Sequence, residues 1–373
     1  DHLRVSTAAR PPRIPPPALA AGMQRAAGGL GRLRSRLLPP PVTLLGLMLD
    51  GFGTAIGIFA VARLGIADQL TSGPRTVEEL AAATGCDAGA LRRLLRMLTP
   101  SGIFAERRDG RFAMTRLARA LCTGAPDSVR DWALFHGAPW HLPMWTDVAE
   151  SVRTGRTAIE MRTGTGFFEW VGADKQQAGE FDNAMTCMST ITDPAIVAAC
   201  DLTGVGTLVD VAGGQGALLA ALLVANPAMR GVLFDQPDVI SRAQNGGPLQ
   251  TAGVMSRCEL VAGSFFESVP AGADAYLMKW IIHDWEESKA VRILGLCRDA
   301  MRPGKRLLLV ESVIVPGNAP DPGRVIDVAM LVLTGGRERT REDYARLLAR
   351  CGFSLRQVRP TASPFSIVEA VAV

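Results

Sequence analysis

The sequence predicts an α/β protein of two parts, a C-terminal doubly wound domain on a mostly parallel sheet and a mostly helical N-terminal domain. The length of 373 residues is more than one ordinary domain needs. Residues 201–373 alternate short apolar, strand-like runs with helix-like runs, which is typical of βαβ units. Residues 39–125 carry short helical patterns and a hairpin pattern, and residues 126–200 form a helical linker between the two parts.

Composition and charge exclude several classes of protein. Hydrophobic residues make up 48% and charged residues 20% of the chain, which is typical of a globular protein. The seven cysteines are scattered, with no C-x-x-C pair, and predict a reduced, cytoplasmic protein without structural zinc. The net charge of +4 is concentrated in residues 1–40, which hold seven arginines and one acid. The remainder is close to neutral, so we expect no nucleic-acid partner.

Residues 1–38 are predicted to be a mostly disordered extension rich in arginine and proline. The prolines within residues 11–17 and 39–41 disfavour a helix, because proline lacks the amide donor. An organellar presequence is the alternative interpretation, and residues before Met23 are interpreted as upstream of a native start.

An apolar stretch, residues 42–61, is long enough to span a bilayer. Asp50 lies in its middle, four glycines weaken it as a helix, and Arg63 follows closely. We therefore expect a helix buried in the protein or between subunits, in a soluble protein with no membrane partner.

The next region is predicted to be a winged helix. Thr76 begins a capping box, Gly85 ends that helix, and Asp87 caps the next one. Residues 102–105 and 111–114 form the two arms of a hairpin.

A winged helix has two common uses, and the sequence leaves both open. Its second helix carries Arg92, Arg93 and Arg96, which is compatible with DNA binding. The same arrangement serves as a dimerisation module, and a charged helix face is usually just solvated. We expect dimerisation.

The helical linker has an unusual density of large apolar side chains. Most are expected to form core, and a subset to line a pocket for a flat aromatic substrate. His136 and His141 lack a cysteine or carboxylate at ligand spacing and are interpreted as ordinary, partly buried residues. The pocket subset is Trp140, Met144, Phe168, Met185 and Met188.

A glycine-rich turn, residues 212–216, connects an apolar strand to an apolar helix. Gly214-Gln215-Gly216 lacks the third glycine of a dinucleotide fingerprint, which weakens a nicotinamide or flavin site. Asp235 ends the next strand at the separation expected for a carboxylate that binds ribose hydroxyls. A ligand with a ribose and no pyrophosphate fits, and S-adenosylmethionine is such a ligand. A structural turn without a ligand is the alternative.

Further strand and helix patterns complete the doubly wound sheet. Ligands in such sheets bind at the carboxyl ends of the strands, where the glycine turn, Asp235, Ser264-Phe265, Lys279 and His283 would all lie. The strand-like runs are 258–262, 273–279, 306–312 and 366–373, and the helix-like runs are 287–301 and 341–351.

Four segments resemble the signatures of class I S-adenosylmethionine-dependent small-molecule O-methyltransferases. They are residues 208–216, 235–240, 278–285 and 335–340. This group includes plant caffeic acid O-methyltransferases and bacterial methyltransferases of polyketide, phenazine and related natural products. The resemblance covers about residues 42–373. It implies a homodimer with a winged-helix dimerisation domain and a Rossmann-like class I methyltransferase domain whose last strands are order-reversed.

The resemblance also implies the chemistry. His283 is expected to act as general base on a hydroxyl of a small aromatic or enolic natural product, flanked by Glu311 and Glu338 as further catalytic residues. C- or N-methylation on the same scaffold, and a member that has lost methyl transfer, stay open. The His283-Asp284 pair offers too few ligands for a metal, and we expect none.

Cofactor and substrate residues follow from the same resemblance. The first glycine of the usual triple-glycine turn is Ala212 here, which is tolerable if its dihedrals are ordinary, and Ser264 stands where many members have aspartate. The expected cofactor-binding residues are Asp210, Ala212, Gly213, Gly214, Gly216, Asp235, Gln236, Ser264, Phe265, Lys279 and Trp280. Asp284, Asp327 and Met330 join the five pocket residues of the linker as expected substrate contacts.

Overall fold

The computed structural model describes residues 15–20, 22–23, 26 and 37–373. Most of the predicted N-terminal extension therefore lies outside the described residues. Within it, residues 17–20 are helical, with the amides of Leu19 and Ala20 bonded to the carbonyl of Pro16. The expectation of no helix was wrong for this short piece, because a proline is tolerated in the first turn.

The N-terminal domain has the predicted helix, helix and hairpin order. Thr76 and Glu79 form the reciprocal capping box, Gly85 ends the helix in the left-handed conformation, and Asp87 accepts from the amide of Ala90. The elements are α1 (Pro40–Arg63), α2 (Val77–Thr84), α3 (Ala88–Leu98), β1 (Phe104–Glu106), β2 (Phe112–Met114) and α4 (Arg116–Arg119).

Helix α1 begins inside the proline run. Pro39 is its N-cap, and Pro40 and Pro41 occupy the first turn. The prediction that these three prolines exclude a helix was wrong, because the first amides of a helix have no intrahelical partner and proline loses nothing there.

Most of helix α1 is exposed in the single chain. Of the described helices, it is the one that is long and apolar enough to cross a membrane by length and composition, and 11% of its most apolar window is buried. Of the two expected placements, burial within the chain is wrong for most of the helix, and placement between subunits stays a prediction. Only Gly57, Val61 and Ala62 are buried, at its C-terminal end.

Five helices connect the two parts. The last and longest, α9, packs against α5 and α8. They surround a hydrophobic cluster that includes Phe135, Met144 and Phe167 and is closed by Val332 and Leu333 of the C-terminal domain. The helices are α5 (Arg130–His136), α6 (Val148–Thr154), α7 (Ala158–Thr163), α8 (Phe167–Ala173) and α9 (Lys175–Ala199).

The C-terminal domain is built on a seven-stranded sheet in the order β10-β11-β7-β6-β3-β4-β5. Strands β7, β6, β3, β4 and β5 are parallel, whereas β11 runs antiparallel between β7 and β10, so the expected order-reversed ending is confirmed. The strands are β3 (Thr207–Val211), β4 (Arg230–Asp235), β5 (Cys258–Ala262), β6 (Ala275–Lys279), β7 (Arg306–Glu311), β8 (Val313–Ile314), β9 (Arg339–Thr340), β10 (Phe353–Pro360) and β11 (Ser366–Ala372). The helices are α10 (Ala217–Ala225), α11 (Pro237–Gln244), α12 (Pro248–Thr251), α13 (Glu287–Ala300), α14 (Gly323–Leu333) and α15 (Arg341–Arg350).

Both faces of the sheet are covered. Val209 and Val211 of β3 enter the hydrophobic cluster on one face, and Leu208 enters the cluster on the other, as period-2 alternation requires. Because side chains on both faces of the sheet are buried, the parallel strands appear in the sequence as continuous apolar runs. It also directs ligand binding to the edge where the strands end.

Candidate active site

Four parallel strands end at one edge of the sheet. β3 leads into the glycine turn, β4 ends at Asp235, and β6 ends at Lys279. Ser264 follows the end of β5 by two residues. Because neighbouring parallel strands carry their carboxyl ends to the same edge, the structure brings the residues predicted from separate segments together.

The glycine turn leaves no room for side chains where it crosses the strand end. A Cβ on Gly213 would lie 2.5 Å from Oδ2 of Asp210, and Gly214 and Gly216 have φ of +60° and +83°. Gly216 also begins helix α10. The turn therefore exposes backbone at the start of a helix, a cradle that fits a small polar ligand.

The backbone conformation of Ala212 differs from the expected one. It was expected to tolerate the first glycine position with ordinary dihedrals, yet its φ is +57°, in the left-handed region. Its amide donates to the carbonyl of Phe234 at 2.7 Å, which holds the turn in this conformation. An alanine here is strained by about 1 kcal/mol or somewhat more.

Asp235 links strand β4 to the turn. Its Oδ2 accepts from the amide of Gly214 at 2.8 Å and its Oδ1 from the amide of Gln236 at 2.7 Å. Burial raises the pKa of this carboxyl, and the two amide bonds oppose the rise. Each oxygen keeps a free lone pair, so the carboxylate can still accept from a diol.

Lys279 is held by helix α9. Its ammonium lies 2.5 Å from Oδ1 of Asp193 and 2.7 Å from Oγ of Ser189. Asp210, close behind the turn, is fully buried, and burial raises its pKa to about 7. The sequence reading missed Asp193 and Ser189, because both lie inside a long helix with no motif of its own.

Ser264 and Phe265 begin the segment after β5. The hydroxyl oxygen of Ser264 accepts from the amide of Phe266 at 3.2 Å, so the segment turns tightly there. The rings of Phe265 and Phe266 lie 4.8 Å apart and both contact Trp285. This makes an aromatic surface beside the strand ends.

His283 lies in a single helical turn after β6 and is 3% exposed. Its Nδ1 is 2.7 Å from Oε1 of Glu338, and its Nε2 is 3.5 Å from Oδ1 of Asp284. Trp280 stacks on its ring, with centroids 5.4 Å apart and planes within 10°. The second nitrogen of a histidine held in this way can exchange a proton with a bound molecule.

Three acids lie around His283, of which Glu311 and Glu338 are buried with it and Asp284 is partly buried. Burial is the main cause in each case, raising the pKa of Glu338 to about 9 and that of Glu311 and Asp284 to about 7. Asp327 acts in the same direction on Glu338, and Arg339 opposes it. One ligand atom each of His283, Glu311 and Glu338 lies within 4.8 Å of the others, a spacing that a metal ion would also accept.

Backbone contacts fix the position of His283. Oε1 of Glu311 accepts from the amide of Ile282 at 2.9 Å, and the amide of Arg337 donates to the carbonyl of His283 at 2.8 Å. A Cβ on Gly336 would lie 1.8 Å from that same carbonyl oxygen, so only glycine fits. The loop that carries Glu338 is thus locked directly onto the turn that carries His283.

Trp132 is a further residue that the sequence reading did not place at the site. It stacks on Trp280 with centroids 6.2 Å apart, and Trp280 in turn stacks on His283. Trp280 itself has a φ of +56°, a strained conformation that tertiary contacts must hold. The only sign of Trp132 in the sequence was the density of aromatic residues in the linker.

The predicted substrate residues fall on two surfaces near this edge. Trp140, Met144 and Met185 belong to the aromatic cluster of the linker, and Phe168 stacks on Trp285 at 5.3 Å. Met188 is half-buried on α9. On α14, Asp327 accepts from the amide of Glu338 at 2.9 Å, and Met330 is buried one turn later.

Comparison with known proteins places the chain in a family. Residues 145–354 match the O-methyltransferase domain, and residues 48–124 match the O-methyltransferase dimerisation domain. The protein belongs to the O-methyltransferase family, as the resemblance in its sequence implies.

Three relatives match along most of the chain. Phenazine O-methyltransferase PhzM of Lysobacter antibioticus is 40% identical over 89% of this chain and 96% of its own length. Mitomycin biosynthesis 6-O-methyltransferase of Streptomyces lavendulae is 38% identical over 86% and 92%. The 8-amino-8-demethylriboflavin N,N-dimethyltransferase of Streptomyces davaonensis is 35% identical over 84% and 91%.

Solved structures agree with these matches. LaPhzM superposes with a TM-score of 0.83 at 40% identity, covering 90% of this chain and all of that one. CalO1, a methyltransferase of calicheamicin biosynthesis solved with S-adenosylhomocysteine, gives 0.80 at 33% identity, covering 92% and 99%. The protein is an S-adenosylmethionine-dependent methyltransferase, and the glycine cradle and Asp235 fit that cofactor.

Proposed function

We propose that this enzyme methylates a hydroxyl of a small aromatic or enolic natural product, with His283 as general base. The observation that carries the proposal is the 2.7 Å contact between Nδ1 of His283 and Oε1 of Glu338, at the sheet edge where the cofactor cradle lies. Because Nδ1 is engaged by Glu338, we expect Nε2, which lies 3.5 Å from Oδ1 of Asp284, to take the proton of a bound hydroxyl.

The chemistry needs little more than a base and alignment. A phenol with a pKa of about 10 is mostly protonated at neutral pH, so its oxygen becomes nucleophilic when Nε2 takes the proton. Glu338 then accepts from Nδ1 and stabilises the resulting imidazolium. The sulfonium cofactor supplies the methyl group, and the protein holds oxygen, carbon and sulfur nearly in line.

Replacing His283 tests the base. His283→Gln should lower turnover by about 10²–10⁴-fold, the usual range for a general base, and leave cofactor affinity nearly unchanged. Glu338→Gln and Glu311→Gln should cost less, because both residues act through the imidazole. Turnover by mass-shift detection and calorimetry with S-adenosylmethionine give the two readouts. Unchanged turnover in His283→Gln refutes the base.

The cofactor roles expected from the sequence are part of the proposal. Asp235 would bind the ribose hydroxyls, the backbone of residues 212–216 the methionine moiety, and Ser264 and Phe265 the adenine. Asp235→Ala should weaken cofactor binding by about 1.5–3 kcal/mol, the value of a charge-assisted hydrogen bond. Asp238→Ala, an exposed acid three residues on, is the matched control for calorimetry.

We also infer a homodimer. Helix α1 exposes a row of apolar side chains that nothing in the described chain covers, and the dimerisation domain match begins at residue 48 within this helix. Two of the three arginines of the second winged helix pair with acids of the same domain, Arg92 with Glu78 and Arg96 with Glu106, which favours dimerisation over DNA binding. The exposed row is Leu44, Leu45, Leu47, Met48, Leu49 and Phe52.

Light scattering tests the dimer. The mass should be about twice 39.6 kDa. Phe52→Glu should shift it toward the monomer, and Val152→Glu, on the exposed face of α6, should not. A wild-type monomer at micromolar concentration contradicts the dimer. Removal of residues 1–38 should change neither the oligomeric state nor the activity.

N-methylation is the second candidate, and the N,N-dimethyltransferase among the relatives favours it. An amine already has a lone pair, so its methylation needs orientation and no general base. Paired phenol and aniline acceptors of the same ring separate the two functions. O-methylation predicts that His283→Gln lowers phenol turnover by about 10²–10⁴-fold, whereas N-methylation predicts aniline turnover that survives the substitution.

A further inference from the structure

Arg339 is a buried arginine next to the His283–Glu338 pair. It is the largest of the fully buried side chains in the part of the chain that the structure describes. Its backbone is fixed by the pairing of β9 with β8, in which Arg339 lies opposite Val313. Burying a charge is costly unless hydrogen bonds and opposite charges compensate it, so the partners of this guanidinium indicate its role.

One nitrogen of the guanidinium bridges the two loops of the site. Nη1 of Arg339 donates to the carbonyl of Ile282 at 3.1 Å and to the carbonyl of Arg337 at 3.3 Å. Ile282 directly precedes His283, and Arg337 directly precedes Glu338. The same nitrogen therefore holds the backbone before the proposed base and the backbone before its acid. The 2.7 Å contact between Nδ1 of His283 and Oε1 of Glu338 depends on the spacing of these two backbones.

The charge of Arg339 acts on the buried acids of the site. Burial raises the pKa of both Glu338 and Glu311, and Arg339 opposes the rise in each case. An arginine keeps its charge at every pH at which the enzyme works, so this effect is permanent. The ionisable groups that face Glu338 are His283 and Asp284 after β6, Glu311 at the end of β7, Asp321 before α14, Asp327 on α14, Arg339 on β9 and Tyr344 on α15.

The ion pair between Arg339 and Glu287 does not account for this burial. Nη2 of Arg339 lies 3.3 Å from Oε2 of Glu287, but the same carboxylate binds Arg337 at 2.8 Å and Arg350 at 2.9 Å. The side chains of Arg337 and Arg350 are more than half exposed. Two surface arginines thus already balance Glu287, and replacing Arg339 leaves no unpaired acid there.

We propose that Arg339 is a positioning residue for methyl transfer, which holds His283 and Glu338 at their working distance and balances the negative charge of the buried acids around them. It acts through the carbonyls of Ile282 and Arg337 and through its charge, and no contact with the acceptor is required of it. The inference rests on the proposed role of His283 as general base and deepens it.

Three variants separate the contacts from the charge. Arg339→Met keeps an apolar stem and removes both the contacts and the charge, whereas Arg339→Lys keeps the charge. Arg350→Met removes an exposed arginine from the same Glu287 and is the matched control. Turnover at its plateau should fall about 10- to 100-fold in Arg339→Met, the scale of a displaced catalytic group, while the KM for the acceptor changes less than about threefold. Arg350→Met should keep wild-type turnover.

The pH profile of turnover reports the charge. Glu338 can stabilise an imidazolium only when it is ionised, and without a cation beside it this acid keeps its proton to higher pH. The rising limb of Arg339→Met should therefore lie at higher pH than that of the wild type. Arg339→Lys should restore the position of the limb and part of the plateau.

Stability separates positioning from a purely structural role. A residue that only supports the fold would lower the Tm and the plateau without moving the limb. If Arg339→Met does not fold, the neutral Arg339→Gln, whose amide still donates a hydrogen bond, gives the same comparison with Arg339→Lys. Equal losses in the neutral and lysine variants with unmoved limbs, or an Arg339→Met that behaves like Arg350→Met, overturn the inference.

A signal from the pair itself distinguishes this inference from the proposed function. In the S-adenosylhomocysteine complex, the proton between Nδ1 of His283 and Glu338 should give a low-field NMR signal, which His283→Gln assigns by removing it. Arg339→Met should move this signal upfield or lose it to exchange with water, and Arg350→Met should not. If it does so while His283→Gln leaves turnover unchanged, the positioning role stands and the general base fails. If His283→Gln lowers turnover but the signal is unaltered in Arg339→Met, the positioning role fails alone.

Discussion

The buried pair of His283 and Glu338 makes a specific prediction for the pH dependence of turnover. Burial raises the pKa of Glu338 to about 9, so at neutral pH this carboxyl is mostly protonated and carries little of the charge that would stabilise an imidazolium. That charge develops beside Nδ1 only as Glu338 loses its proton. We therefore expect wild-type turnover to rise as the pH passes through about 9.

Glu338→Gln changes both the plateau and the pH at which it is reached. The glutamine carbonyl can still accept from Nδ1 and keep the tautomer, but it gives up the charge that stabilises the imidazolium. We expect a plateau about 10- to 100-fold lower, from the loss of about 1.5–3 kcal/mol. The variant has no acid to deprotonate, so its turnover should depend less on pH. The two rates should converge as the pH falls toward neutrality, where Glu338 is mostly protonated.

Turnover at saturating acceptor from pH 6 to 10 measures this, with Glu342→Gln, an exposed acid of α15, as the matched control. Ring-halogenated phenols identify the origin of the rising limb, because a limb due to the substrate moves with the phenol pKa and a limb due to the pair does not. A constant ratio of wild type to Glu338→Gln across this range, or a limb that follows the phenol in both proteins, refutes the reasoning.

Three further predictions concern the two loops of the site. Ala212→Gly should raise the Tm by about 1–3 °C, because the relief of left-handed strain exceeds the added entropy of the unfolded chain, and calorimetry should show cofactor affinity intact. Gly336→Ala should lower turnover at least about 100-fold by displacing the loop from the carbonyl of His283, whereas Gly179→Ala, with open space around it, should not. The Tm of Asp210→Asn should exceed that of the wild type by a margin that grows from pH 5 to about 7. The folded pKa of Asp210, about 7, lies above its unfolded value, so the wild type loses stability as the pH rises through this range.

The sequence predicted those parts of the fold that have local signals. The capping box at Thr76, the left-handed end at Gly85 and the parallel strands that are buried on both faces all have local patterns, and all are confirmed. Strand β10 (Phe353–Pro360) was missed. It is an edge strand paired on one side only, and polar residues interrupt its apolar ones, so it lacks the apolar run of a central strand. The start of α1 within prolines was missed because the rule against proline does not apply to the first turn.

The site was predictable as a set of residues and not as an arrangement. His283, Glu311 and Glu338 come from three distant segments, and their ligand atoms do meet within 4.8 Å. Their burial, which sets the pKa of both acids, depends on packing that no local pattern encodes. The anchoring of Lys279 by Asp193 likewise arises from a contact between separate elements, and so does the full burial of His141, which was expected to be only partly buried.

The position of His283 depends on backbone contacts more than on its own side chain. The carbonyl of His283 accepts from the amide of Arg337, and the amide of Ile282 donates to Glu311. The buried guanidinium of Arg339 donates to the carbonyl of Ile282 at 3.1 Å. These bonds tie β7, the loop after α14 and β9 to one short turn, so the distance from Nδ1 to Glu338 changes only if several bonds break together. A histidine held in this way keeps its distance to Glu338 when a single neighbouring contact is lost.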